Sequence, residues 1–151
     1  MQLSTHTDYA LRLLIYLAIA DDESPATVHD AAARYRVSAH HMAKVAQTLV
    51  QLGHVNSRRG RGGGLSLARP ADTIDVGALV RQTENLTLLE CFGPNSTCPI
   101  DPACRLKGLL GRAQNAFLET LDGHTIAELV GNAAELRALL RPENDVALTQ
   151  E

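Results

Sequence analysis

The sequence predicts a mainly α-helical fold with one small β-hairpin, and three observations support this prediction. Apolar residues recur at helical spacing in several segments of the 151-residue chain. A glycine-rich turn separates two short segments that alternate apolar with small or polar residues, the pattern of a hairpin. A proline-rich loop that holds all three cysteines then precedes one long helical segment. We therefore expect a unit of short helices, a hairpin, a loop and a long helix.

Three helices are predicted before the hairpin. The first covers residues 5–20, the second roughly residues 27–35, and the third begins after Ser38 and ends near Leu52, where Gly53 can terminate it. Each of the three carries an apolar stripe on one side. Because a turn of only two residues separates the second helix from the third, the pair has the pattern of a helix-turn-helix.

The hairpin is expected to pair residues 54–58 with residues 64–68 across the turn 59–63. A fourth helix should begin at Asp75 or Val76 and end near Glu84. The long helix is predicted over residues 103–122, with a stripe of Leu106, Leu109, Leu110, Ala113, Phe117 and Leu121. Thr125 and Glu128 form a capping box for a short segment that follows.

Charge divides the chain into two unlike halves. Residues 1–70 hold 8 Lys/Arg and 5 Asp/Glu, a balance of +3, and residues 71–151 hold 6 and 12, a balance of −6. A basic first half, which also holds five of the six histidines, suits a polyanion such as DNA. There is no signal-peptide pattern and no apolar run of about 18 residues, so we expect a cytoplasmic protein with no membrane partner.

Polar residues of the third helix and the hairpin are the candidates for DNA contact. A polar helix face can reach base edges in the major groove, and guanidinium groups on a slim turn can enter the minor groove. A merely solvated helix face is the alternative for any isolated helix. The turn spacing and the hairpin directly behind it favour DNA. The candidates are Ser38, His40, His41 and Lys44 on the helix, and Arg58, Arg59, Arg61 and Gly62 on the hairpin.

The glycine run does not match a nucleotide-binding motif. It lacks the Lys-Ser/Thr ending of a phosphate-binding loop, and Leu65 stands where a dinucleotide fingerprint needs its third glycine. No other pattern indicates a substrate pocket. We therefore expect that the protein is not an enzyme.

The three cysteines predict a soft-metal site. Cys91, Cys98 and Cys104 are spaced by six and five residues, and no other cysteine exists to form a distant disulfide. Clustered thiolates bind zinc or iron–sulfur clusters, and spacing alone does not decide between them. Three ligands are one fewer than either site usually takes, so another residue or a partner chain must complete it. Three unligated thiols on a surface loop are the remaining alternative.

The sequence resembles the NsrR repressors, relatives of the IscR regulators of cluster biogenesis, over nearly its whole length. The resemblance is carried by Thr7-Asp8-Tyr9-Ala10-Leu11-Arg12, Arg58-Arg59-Gly60-Arg61-Gly62-Gly63-Gly64 and Pro102-Ala103-Cys104-Arg105-Leu106-Lys107, with residues 1–3, 37–38, 41–42, 44, 121–123 and 125–130. It implies a transcriptional repressor that senses nitric oxide through an iron–sulfur cluster and binds palindromic operator DNA as a homodimer, with the long helix crossing its twin.

The resemblance also implies a ligand set. Cys91, Cys98 and Cys104 would hold the cluster, with Asp8 of the partner subunit as the fourth ligand. A carboxylate at Asp8 has a second explanation, because Thr5 and Asp8 are spaced as a helix-capping pair. Lys107 stands where IscR-type proteins have a histidine, which argues against their two-iron chemistry. We expect a [4Fe–4S] cluster, with [2Fe–2S] as the alternative.

These inferences define three regions and leave one rival class. Residues 1–75 would form a winged helix-turn-helix domain, residues 76–141 the cluster-binding loop and dimerisation helix, and residues 142–151 a flexible tail. The rival is a zinc-stabilised or IscR-like winged-helix regulator. A zinc site would need a nitrogen ligand such as His124.

Overall fold

The computed structural model describes residues 2–21 and 25–141, so the predicted tail lies outside the described residues. Within them the fold is mainly helical with one two-stranded antiparallel sheet, as predicted. The helices are α1 (Thr5–Ile19), α2 (Val28–Arg34), α3 (Ala39–Gln51), α4 (Val76–Thr83), α5 (Arg105–Leu121), α6 (Ile126–Leu129) and α7 (Ala133–Leu139), and the strands are β1 (Val55–Arg58) and β2 (Gly64–Leu67).

Side-chain caps define the helix-turn-helix. The Thr27 hydroxyl accepts a first-turn amide of α2 at 3.1 Å, and the Ser38 hydroxyl accepts the amide of His41 at 3.3 Å. Between these helices Arg36 has a φ of 54°, the one positive value at a non-glycine among the residues described. Because this left-handed conformation redirects the chain within one residue, α3 can start almost at once in a new direction.

The core lies between α1 and α3 and extends to α4 and α6. Its buried side chains include Leu13, Leu14, Met42, Val45, Leu49, Val55, Ile74, Leu79 and Ile126. The predicted stripe of α3 is buried except at Val50, which is 39% exposed. Residues that follow position 75 therefore contribute to the same core as the helix-turn-helix, and the boundary at residue 75 stays a prediction.

The hairpin forms with the predicted strands, and we call residues 54–68 the wing. Its register runs from Val55 opposite Leu67 to Arg58 opposite Gly64. Gly60 and Gly62 have φ values of 92° and 72° in the turn, which L-residues with a side chain rarely adopt. The base of the wing is anchored because Val55 is buried in the core.

The stripe predicted for the long helix is mostly not buried in this chain. Leu106 and Leu109 of α5 are 56% and 54% exposed, and Leu118, outside the predicted stripe, is the buried residue of the helix. The helix also begins two residues later than predicted, because residues 101–103 form a 3₁₀ turn and Cys104 is the N-cap. An apolar helix face thus remains uncovered by its own chain.

Two carboxylates tie the end of α5 to α4. Asp75 accepts the amide of Ala78 at 2.7 Å, as the N-cap of α4, and the amide of Gly123 at 2.7 Å. Asp122 forms a two-bond ion pair with Arg81 of α4. The orientation of α5 is therefore set by polar bonds as well as by packing.

This junction predicts opposite effects for two glycine substitutions. A Cβ at Gly77 would collide with the Asp122 carboxylate, so Gly77→Ala should destabilise the fold by about 1–3 kcal/mol. Gly108→Ala is the control, because its Cβ would lie 3.8 Å from the Arg112 side chain and should stabilise α5 by about 0.5–1 kcal/mol. Urea unfolding measures both changes. Wild-type stability in Gly77→Ala would contradict the close contact.

Candidate nucleic-acid interface and metal centre

The first half of α3 presents a polar surface. Ser38, His40, His41 and Lys44 are all exposed, while the opposite side of the helix is buried in the core. The rings of His40 and His41 lie side by side, with centroids 6.1 Å apart. The Ser38 hydroxyl accepts the His41 amide. It therefore positions the start of α3 whether or not it also touches a ligand.

The wing presents exposed guanidinium groups. Arg58, Arg59, Arg61 and Gly62 are exposed. In residues 2–21 and 25–141, no carboxylate forms an ion pair with any of the three arginines. Because these cations are not neutralised within the described chain, the wing and the polar side of α3 together suit an anionic ligand such as DNA.

The cysteine loop, residues 91–104, carries three free thiols. Cys91 is half-buried in a 3₁₀ turn over Glu90–Phe92, and Cys98 is exposed. Cys104 is half-buried as the N-cap of α5, where its Sγ accepts the amide of Lys107 at 3.4 Å. Two of the three sulfurs are thus positioned by regular structure, and the third lies on the open part of the loop.

Polar contacts hold the loop closed and attach it to α5. The Glu90 carboxylate accepts the Thr97 amide at 2.8 Å and the Thr97 hydroxyl at 2.6 Å, and these bonds lower the pKa of Glu90. The Phe92 ring lies against α5, 3.7 Å from the position that a Cβ at Gly111 would occupy. The loop between Cys91 and Cys98 is therefore shaped by Glu90, which no sequence motif had indicated.

Lys107 connects the two half-buried cysteines electrostatically. Its ammonium group donates to Asp101 at 2.6 Å, and this bond raises the pKa of Lys107. The negative charges of Asp101, Cys91 and Cys104 raise it further. Sequence reasoning treated Lys107 only as a missing histidine. The structure instead shows a positive charge that interacts with Cys91 and Cys104 as well as with Asp101.

The donor chemistry fits an iron–sulfur cluster, although the donors are not gathered. In the described part of the chain, no group of three or more His, Cys, Asp or Glu side chains is arranged to hold a metal ion. Three free thiols on one loop, two of them beside a common cation, are nevertheless the soft donor set that such clusters use. The set remains one ligand short within this chain.

Asp8 lies on α1 and pairs with Arg12. Its Oδ1 accepts from Arg12 Nε at 2.8 Å, and the two side chains are 42% and 40% exposed. The predicted capping role for Thr5 and Asp8 is wrong, because the Ser4 hydroxyl caps α1 by accepting the amide of Thr7 at 3.2 Å. The carboxylate of Asp8 is thus held at the surface by an ion pair one helical turn away.

The geometry argues against the zinc site considered for His124. Cys104 precedes the 17-residue helix α5 and His124 follows it, so about 25 Å of helix separates them. His124 is instead hydrogen-bonded through Nδ1 to Glu128 at 2.7 Å. One chain therefore cannot bring Cys104 and His124 to a common ion.

No helix in the described ranges has the length and apolar character needed to cross a lipid bilayer.

The helix-turn-helix, its polar third helix and its arginine-bearing hairpin form the winged-helix architecture that DNA-binding transcriptional regulators use. The sequence profile of the Rrf2 family, described as iron-dependent transcriptional regulators, matches residues 3–132. The chain belongs to the Rrf2 family and is a regulator of the NsrR type.

Curated relatives match almost end to end. The transcriptional regulator NsrR of Shouchella clausii is 46% identical over 143 residues, covering 93% of this chain and 96% of the relative. NsrR of Geobacillus kaustophilus is 43% identical, covering 93% of this chain and 97% of the relative. The resemblance inferred from the sequence motifs is therefore confirmed.

Solved structures support the fold. IscR of T. potens aligns with a TM-score of 0.70 and 26% identity over 91% of each chain. CymR, the global cysteine regulator of B. subtilis, aligns with a TM-score of 0.68 and 26% identity over 87% of this chain and 98% of its own. The predicted winged-helix architecture is thereby confirmed.

If the wing contacts DNA phosphates, substitution of one of its arginines should change the salt dependence of DNA binding. Arg59→Gln should weaken binding to all duplexes and lower the slope of log affinity against log salt by about one. Arg112→Gln on α5 is the matched control and should leave the slope unchanged. Fluorescence anisotropy over a series of salt concentrations measures the slope. An unchanged slope in Arg59→Gln would show that Arg59 does not contact the phosphates.

Proposed function

We propose that this regulator represses transcription as a cytoplasmic homodimer, with an iron–sulfur cluster on Cys91, Cys98 and Cys104 and Asp8 of the partner subunit, and that nitric oxide releases it from palindromic DNA. The observation that carries the proposal is a set of three free thiols, two of which interact with Lys107, in a chain similar to NsrR regulators over 93% of its length. We further propose that it acts as a regulator and not as an enzyme.

The uncovered face of α5 supports the homodimer. A stripe with Leu106 and Leu109 more than half exposed is costly in water, and a second copy of the same helix could cover it. A twofold dimer would present two copies of α3 and of the wing. To read a palindrome on one face of B-DNA, the two recognition helices would lie roughly 34 Å apart.

The choice of ligands supports a labile position at Asp8. When bound, the cluster supplies iron atoms that react with nitric oxide. A carboxylate is a harder ligand than a thiolate, so the iron held by Asp8 would be the position most easily opened. After release, Asp8 could return to Arg12, its partner within one chain. A cross-subunit bond would thus be exchanged for an intrachain ion pair.

This exchange would act on the DNA-binding surface through α1. Leu13 and Leu14 of α1 are fully buried against the core that holds α3. If the first turn of α1 is displaced, the rest of the helix and the core packed on it must therefore move as well. We propose two states, one with Asp8 bound across the dimer and one without, that differ in the spacing of the recognition helices.

Anaerobic purification tests the cofactor and the signal together. We expect coloured protein with iron and sulfide in equal amounts, four of each per chain for [4Fe–4S]. It should bind a palindromic duplex selected from random DNA, with nitric oxide weakening binding roughly 5–150-fold. Iron and sulfide analysis, absorbance and gel shifts measure these. A colourless, iron-free protein that binds equally well with and without nitric oxide would contradict the sensor and leave the regulator intact.

The role of Asp8 is tested with Arg12 as the matched control. Asp8→Ala should lose its cluster faster, on the order of ten- to a hundredfold, because one ligand is removed. Arg12→Gln removes the same ion pair but keeps the carboxylate, so it should retain the cluster. Absorbance decay and stopped-flow reaction with nitric oxide give the rates. Equal rates in Asp8→Ala and wild type would exclude Asp8 as a ligand.

A further inference from the structure

His54 occupies the junction between the recognition helix and the wing. It is 6% exposed, its amide donates to the carbonyl of Leu49 at 2.9 Å, and its carbonyl accepts the amide of Ala68 at 2.9 Å. The backbone of His54 is thus fixed where α3 ends and where both strands of the wing meet the core.

The ring of His54 reaches across to α4. His54 Nε2 lies 2.9 Å from Oε1 of Gln82, 28 positions further along the chain. Because an amide oxygen can only accept, Nε2 carries the proton in this contact. The other ring nitrogen, Nδ1, is buried, and no group among the described residues forms a hydrogen bond with it.

An orphaned Nδ1 is unfavourable for the fold. A buried polar atom without a partner lowers stability, and an apolar side chain of similar size would avoid that cost. What a histidine provides here, and an apolar residue would not, is the bond to Gln82. This bond joins the base of the wing to the last turn of α4.

Gln82 belongs to a turn that meets the N-terminus of α1. In the last turn of α4, the Thr83 hydroxyl accepts from the Thr7 hydroxyl at 3.0 Å. The next residue, Glu84, accepts the amide of Ser4 at 2.8 Å. Burial alone would raise the pKa of Glu84, but the hydrogen bonds from Ser4 and Thr7 leave it lowered, so the carboxylate form is favoured.

The same turn lies close in the chain to ligands of two proposed cluster sites, Asp8 for the partner's site and Cys91 for its own. Thr7 immediately precedes Asp8 on α1, and Glu84 is followed seven residues later by Cys91. A displacement of Asp8 or of the cysteine loop would therefore also displace the last turn of α4. From there, among the described residues, a side-chain hydrogen bond between Gln82 and His54 leads to the base of the wing.

We propose that His54 and Gln82 are positioning residues that transmit the state of the cysteine loop and of Asp8 to the wing and α3. The inference rests on the proposed function and adds the contact by which it would reach DNA. With the bond intact, α4 and the base of the wing move together. With the bond broken, the wing keeps its fold but no longer responds to the state of the cysteine loop and of Asp8.

Substitutions of Gln82 test whether the bond transmits the state of the cysteine loop to the DNA-binding surface or only stabilises the fold. Gln82→Leu removes the acceptor, and Gln82→Glu keeps an acceptor oxygen at the same position. We expect the ratio of DNA affinities between iron-loaded and iron-free protein to fall from at least fivefold to below twofold in Gln82→Leu. Gln82→Glu should restore the ratio. The double variant His54→Leu with Gln82→Leu should lose the ratio while unfolding at or above the wild-type temperature, because it also removes the orphaned atom.

A second measurement does not depend on the cluster. Amide hydrogen exchange over residues 54–58 and 64–68 should be faster in Gln82→Leu than in Gln82→Glu, because the wing is released from α4. An unchanged affinity ratio and unchanged exchange in Gln82→Leu would overturn the proposal. If wild-type protein shows no affinity difference on iron loading, the proposed function is wrong, and the exchange comparison alone then decides whether the bond holds the wing.

Discussion

Helix α1 is buried along most of its length, and the rest of the structure depends on how it packs. It contacts α3, α4, α6, α7 and the second strand of the wing, so one apolar surface joins the recognition helix and the wing to α4. Its polar side carries Asp8 and Arg12, and the Arg12 guanidinium also lies 5.9 Å and 5.8 Å from the ring centroids of Tyr9 and Tyr35. Tyr35 caps the end of α2, so the ion pair borders the helix-turn-helix itself.

The two ends of the molecule are held by different forces. Apolar burial holds α1 and α3 together, and such packing resists small displacements because the interior is dense. The cysteine loop is held by polar contacts near the surface, such as the exposed bond of Thr97 to Glu90 and the part-buried ion pair of Lys107 with Asp101. Because exposed polar contacts contribute little stability, this loop can rearrange around a metal at low cost. A rigidly packed DNA-facing unit beside a loop that can rearrange is an arrangement that suits a sensor.

Sequence reasoning succeeded where the determining interactions are local. Thr27, Ser38 and Thr125 cap their helices as their types and positions indicate, and Gly53 ends α3 with a φ of 76°. It failed where the partner of a residue is distant or is another chain. The apolar stripe of α5 did not by itself show that Leu106 and Leu109 stay exposed in this chain. Sequence reasoning also paired Asp8 with Thr5, although Arg12, one turn away, neutralises it.

The sequence by itself determined the helix-turn-helix, the hairpin, the three thiols and the family, because periodicity, caps, turn residues and motifs are properties of neighbouring positions. Only the tertiary structure decided that Lys107 interacts with two of the thiols, that α4 and its N-cap are bonded to the base of the wing and to the end of α5, and that the buried His54 is bonded to Gln82. These contacts join residues far apart in sequence. Their distances follow from how the helices pack around α1, which no local pattern encodes.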